Sequence, residues 1–124
     1  MVKICNFKDE EQPHLLEYSY SDALDEHPQT IVFNGREGAL TERPLLVNVN
    51  ERVRIFFGNA GPNLSSSFHV IGAIFDRIYR DGGLLDPPAH GIQTVLVPPG
   101  GATIVEIKTL VPGTFTLVRY NSNF

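Results

Sequence analysis

From Pro28 onward the chain alternates short runs of β-branched and aromatic residues with clusters of Gly, Pro and Asn, at the spacing of a sandwich or barrel rather than of helices. Eight such runs are predicted as strands: Thr30 to Phe33, Leu45 to Val49, Arg52 to Phe57, Ser67 to Ile71, Ile74 to Arg80, Ile92 to Val97, Thr103 to Lys108 and Gly113 to Tyr120. Within the third, Val53, Ile55 and Phe57 alternate against Arg52 and Arg54, the pattern of a half-buried strand. Val105 and Ile107 alternate in the same way against Glu106 and Lys108, and Phe115 and Leu117 against Thr116 and Val118. The breaks are chemical. Pro98-Pro99-Gly100-Gly101 cannot extend a ladder because proline has no N–H, and Gly58, Gly61 and Pro62 around Asn59 and Asn63 supply the backbone angles of a tight connection. Gly82-Gly83 reads as a hairpin or bulge on the same grounds.

Upstream, from Asp9 to His27, the pattern is lost and the residues are mainly polar and acidic, with Leu15, Leu16, Tyr18 and Leu24 as the larger apolar side chains. Residues 1–28 therefore read as an N-terminal arm and residues 29–124 as the ordered domain. A short helix is expected over Ser21 to Glu26, with Ser21 as its cap and Pro28 just past its end. No repeat or low-complexity segment interrupts the rest.

The 124 residues, 42% of them apolar, are enough for one hydrophobic core. No apolar run approaches the roughly 20 residues that span a bilayer, so no membrane partner is expected. A net charge of -4 with ten Lys and Arg leaves no basic stripe for phosphates, which argues against nucleic acid. Cys5 is the single cysteine, so neither an intrachain disulfide nor a cysteine-rich zinc site can form. A blue copper site, which needs two imidazoles and a thiolate, has no histidine close to Cys5, and the single methionine is Met1.

Six segments in order resemble the C-terminal cupredoxin domain of copper nitrite reductases: Ile31 to Thr41, Gly58 to Leu64, Ser66 to Gly72, Ile74 to Gly83, Val95 to Ala102 and Val111 to Val118. Ala23 to Pro28 is similar to that family's interdomain linker, so the resemblance covers roughly residues 20 to 119, and six matches in sequence are far more specific than one. It implies an all-β, Greek-key, cupredoxin-like barrel or sandwich of about eight strands. It also implies trimers of two-domain subunits, in which a first domain carries an electron-transfer copper and the second completes a catalytic copper site across the subunit interface. Self-association, as a trimer by resemblance, and a partner cupredoxin domain follow as expectations.

Carried over by position, the family's proton-relaying histidine falls on His69 and its pocket-shaping isoleucine on Ile71. Its copper-binding histidine falls on Tyr120, in Leu117-Val118-Arg119-Tyr120-Asn121. A phenol must lose a proton near pKa 10 before it binds metal well, so copper held tightly by this chain alone is not expected, and Arg119 places a cation where the family has an acid. His69 has two readings, a satisfied half-buried core histidine or a proton relay tuned near neutral pH. His90 reads as a solvated loop residue, while His14 and His27 lie in the acidic arm.

In the family the histidine strand is followed by another that closes the barrel, whereas here four residues remain after Tyr120. An open edge is expected, which invites pairing with another chain unless the arm around Val2 to Phe7 folds back over it. No export signal is visible near Met1. The chain is expected in the cytoplasm if Met1 is its natural start, and in the periplasm if it is a piece of an exported reductase.

Three functions are compatible with these residues. The first is a cupredoxin-like domain that acts in association and is not catalytic alone. The second is a component of a copper nitrite reductase, converting nitrite to nitric oxide with copper ligands drawn mainly from elsewhere. The third is a small-ligand binder at the barrel mouth. The serines next to His69 form no recognisable triad from sequence alone.

Overall fold

The computed structural model describes residues 19–28 and 30–121, together with the backbone of Val2–Lys3, Phe7–Lys8 and Leu16–Glu17. Two units, Met1–Pro44 and Leu45–Phe124, each make their own internal contacts.

In the first unit β1 (Val2–Lys3) pairs antiparallel with β4 (Thr30–Ile31), and β2 (Phe7–Lys8) with β3 (Leu16–Glu17). The remainder of the Val2 to Phe7 arm, with Cys5, Met1 and His14, lies outside the described residues. A helix, α1 (Tyr20–Leu24), forms where one was expected but one residue earlier. Its cap is Ser19, whose hydroxyl accepts from the Asp22 amide, rather than Ser21. The short α2 (Ala39–Glu42) follows Gly38, which takes a positive φ of 70°.

The second unit is a sandwich of two three-stranded antiparallel sheets. The first sheet is ordered β10 (Thr116–Asn121), β6 (Ser66–Ile71), β8 (Thr94–Val97), and the second β5 (Arg52–Gly58), β9 (Ala102–Lys108), β7 (Arg77–Arg80). Strands alternate between the sheets along the chain, so no two successive strands are ladder partners. The all-β cupredoxin-like class holds, in its sandwich form: among the described residues no ladder joins one sheet to the other. Gly82 and Gly83 close a turn onto Tyr79 and Arg80 but no hairpin, because β7 pairs with β9 and β8 with β6. Leu45 to Val49 forms no strand; the segment lies beside Thr109, whose hydroxyl donates to the Asn48 carbonyl at 2.7 Å.

Alternation delivers the core. Phe68, Val70, Val95 and Val97 from one sheet meet Phe57, Ile78, Val105 and Ile107 from the other, all buried. Phe57 and Phe68 stack across the sandwich with ring centroids 4.3 Å apart, and Phe75 continues the stack 5.7 Å from Phe68. At one end Asn59 joins the two sheets. Its buried amide donates to the Leu64 carbonyl at 2.8 Å and the Val97 carbonyl at 3.1 Å, and its Oδ1 accepts from the Gly61 amide. Gly61 has a φ of +79°, a left-handed conformation that an L side chain would strain.

Candidate functional site

Strand β6 carries the residues singled out from the sequence. Its period of two sends Ser66, Phe68 and Val70 into the core and leaves Ser67, His69 and Ile71 on the outer face. Register then builds the neighbourhood: His69 lies opposite Val118 on β10 and Thr94 on β8, while Tyr120 lies opposite Ser67. His69 and Tyr120 are thus diagonal neighbours on one face, their rings 6.5 Å apart and tilted by 33°. Ile71 is 49% exposed, Tyr120 54% and Leu96, opposite Ser67, 62%. This is an open, largely apolar surface around one half-buried imidazole.

The His69 ring is oriented by β8 and the residue before it. Nδ1 donates to the Gln93 carbonyl at 2.7 Å, and the Thr94 hydroxyl lies 3.4 Å from the same nitrogen. A carbonyl only accepts, so Nδ1 carries a proton, and in the neutral tautomer the lone pair is then on Nε2. Neither Gln93 nor Thr94 stood out in the sequence, since their role depends on a pairing 24 and 25 residues away.

Arg119 is on the opposite face from Tyr120. It pairs with Phe68 in the ladder and donates to the Ser66 hydroxyl at 3.2 Å, and burial lowers the pKa of its guanidinium. The cation expected beside Tyr120 is therefore not on that face, because strand alternation turns Arg119 inward. Ser66 likewise faces away from His69. His90 and His27 are exposed and each bonds a backbone carbonyl, Asp76 and Asp25 respectively.

A copper ion needs several converging donors, and among the described residues no group of three or more His, Cys, Asp and Glu converges. The face offers the Nε2 of His69 and a phenol that binds metal only once deprotonated. These residues do not by themselves fit a copper site. A separate groove of about 410 Å³ along β8 is lined by Ile78, Ile92 and Val95, with Arg80 and Asp81 as its charged groups.

The outer face of the second sheet holds a cluster that the sequence reading missed. Glu106 was expected to point outward, and it does, yet its side chain is only 2% exposed because three guanidinium groups cover it. Oε1 accepts from Arg54 at 3.0 Å and 2.6 Å, and Oε2 from Arg52 at 3.3 Å and Arg77 at 3.4 Å. The hydrogen bonds from Arg54 hold its carboxyl below the usual carboxylate range, against the opposing effect of burial. The Arg52 and Arg54 alternation was the available signal, but it did not reveal which acid they would meet.

Fold and face together define a cupredoxin-type domain of an oxidase-like class, and the chain belongs to the multicopper oxidase family, whose pattern matches residues 7–117. Within it the chain is related to copper nitrite reductase. It is 45% identical over 105 residues to the copper-containing nitrite reductase of Neisseria meningitidis serogroup A, covering 84% of this chain and 27% of that protein. The enzyme of Neisseria gonorrhoeae is 44% identical over 105 residues, again 84% of this chain and 26% of that protein. A solved structure, the copper-containing nitrite reductase of Thermus scotoductus, superposes with a TM-score of 0.74 at 35% identity, covering 81% of this chain and 24% of that one. The chain thus spans about a quarter of the length of these relatives.

Proposed function

We propose that this cupredoxin-like domain works by association, not by catalysis alone, and that the outer face of β10–β6–β8 is where it meets a partner cupredoxin domain. The observation that carries this reading is the pairing of a pre-oriented imidazole with an open apolar surface. His69 is held by the Gln93 carbonyl among exposed Ile71, Leu96 and Tyr120, and among the described residues no second imidazole lies on the same face. His69 and Ile71 would contribute to a shared site, the first as a proton relay and the second by shaping the pocket. Copies of the chain would assemble as a homo-oligomer, a trimer by analogy with the family.

A second reading is supported by the free Nε2 of His69. As a component of a copper nitrite reductase, the domain would present this nitrogen to a site whose metal ligands come from another chain. Nitrite would there be reduced to nitric oxide with one electron and two protons.

Copper stoichiometry separates them. The protein is loaded with copper, desalted and analysed for metal, with the oligomer mass measured on the same sample. The association reading expects no stoichiometric copper and an unchanged value in His69→Ala. About one tightly held copper per chain, lost in His69→Ala, would replace it with the reductase reading.

A further inference from the structure

The Glu106 cluster is more than an internal ion pair. Ladder register sets two adjacent rows across the outer face of the second sheet: Arg54–Glu106–Arg77, and beside it Phe56–Ile104–Tyr79. In the first row the arginine side chains are 57% and 45% exposed above a buried carboxylate. Each guanidinium has five N–H donors, and between them Arg52, Arg54 and Arg77 spend four hydrogen bonds on Glu106. Counting Arg52, Arg54, Arg77 and Lys108 against Glu106 and Asp76 gives four positive and two negative charges, a face of +2 on a chain of -4. In the second row Phe56 is 72% exposed, an aromatic ring at the border of the cationic area. A face that is cationic on one side and aromatic on the other is complementary to a surface that is acidic on one side and apolar on the other.

The chain carries such a surface. Helix α1 exposes Tyr20 (69%) and Leu24 (65%), four residues apart and so on one side of the helix. Asp22, Asp25 and Glu26 surround them, with Asp25 and Glu26 exposed. We propose that the outer face of β5–β9–β7 receives the α1 surface of a second copy of this chain, with Tyr20 and Leu24 over Phe56 and the acids toward the guanidinium groups. The contact is heterologous, joining different patches on the two copies, so it leaves a free patch of each kind at the ends unless a ring closes. It goes beyond the association reading above: it uses the other sheet and needs neither His69 nor copper.

Sedimentation equilibrium of the full chain over a wide concentration range tests it. The expected result is concentration-dependent association that weakens as salt screens the charges. Phe56→Ser and Leu24→Ser, both at exposed positions, should each weaken it roughly tenfold or more, as loss of an interface anchor does. Lys108→Glu reads the charged half independently and should also weaken association. The decisive sample is a mixture of the two Ser variants: each alone lacks one patch, but together they keep one intact pair, so the mixture should regain a pairwise association that neither variant shows alone and that does not propagate into longer chains. A wild-type chain that stays monomeric, a Phe56→Ser variant that associates normally, or a mixture that behaves like its components overturns the proposal. Association lost instead in Leu96→Ser would place self-contact on the His69 face and overturn it equally.

Discussion

The strands of β10–β6–β8 turn outward Ser67, His69, Ile71, Leu96, Val118 and Tyr120, with no formal charge among them, whereas those of β5–β9–β7 turn outward three arginines, a lysine and a glutamate. Both sheets close on the same core, stacked through Phe57 and Phe68. Stability and chemistry are divided differently on the two outer faces. On the second sheet Glu106 is buried and ties β5 to β7 across β9, so its partners bear structure. On the first, His69 is half-buried and tied to a single carbonyl, and its neighbours are exposed. A polar group that carries little of the fold is free to serve a site.

The strongest way to break this contrast is through what the faces share. Phe68 is fully buried and touches both other rings of the stack, so Phe68→Ala should cost about 3–5 kcal/mol. Urea denaturation followed by far-UV circular dichroism and by tyrosine fluorescence should show one transition, moved to lower denaturant in both signals. Two separated transitions would mean that the sheets are not one cooperative unit, and the comparison of their faces would lose its common reference.

Next in size is the cluster itself. Arg54→Ala removes the shortest contact to Glu106 and leaves the carboxylate with partners at 3.3 Å and 3.4 Å. Arg54 is more than half exposed, so solvent screening keeps the loss to about 1–2 kcal/mol, below that of a fully buried pair. The acid dependence has a definite sign. Glu106 has a folded pKa below its unfolded value of about 4.3, so the unfolded chain binds the proton first. Its contribution is complete above about pH 4.3 and is lost as pH falls through the folded pKa. Melting curves taken downward from neutral pH should show that loss in the wild type. In Arg54→Ala, whose Glu106 lacks the largest cause of its lowered pKa, the loss should be smaller and should be complete at a higher pH. Identical profiles would remove Glu106 from the account of acid stability.

Much of the sandwich was legible in the residues themselves, because alternation is local: Val53, Ile55 and Phe57 face inward as their spacing demanded. What could not be read was pairing. Successive strands sit in different sheets, so neither the Gly58 to Pro62 turn nor Gly82-Gly83 says which strand lies beside which. Glu106 meets Arg77 and Arg54 from 29 and 52 residues away, and only the ladder brings them together. Leu45 to Val49 shows the converse error, an apolar run with strand-like residues that forms no ladder and leaves Leu46 91% exposed. His69, Ile71 and Tyr120 were found by resemblance, and register alone set them on one face.

The smallest expected effect sharpens the contrast most. His69→Phe keeps a ring of similar size beside Tyr120 but deletes the N–H that the Gln93 carbonyl accepts. That bond lies on the open face, where water can replace the lost donor, so the cost should be no more than about 0.5–1 kcal/mol. Tyr120→Phe, which changes only an exposed hydroxyl, should stay within about 0.5 kcal/mol of wild type. Both are read from denaturant midpoints at constant slope. If His69→Phe instead costs as much as Arg54→Ala, the imidazole is part of the scaffold and the two faces do the same job. If it costs little, the orientation imposed by Gln93 is not needed for folding, and a held ring that the fold can do without is best explained by something that docks against it.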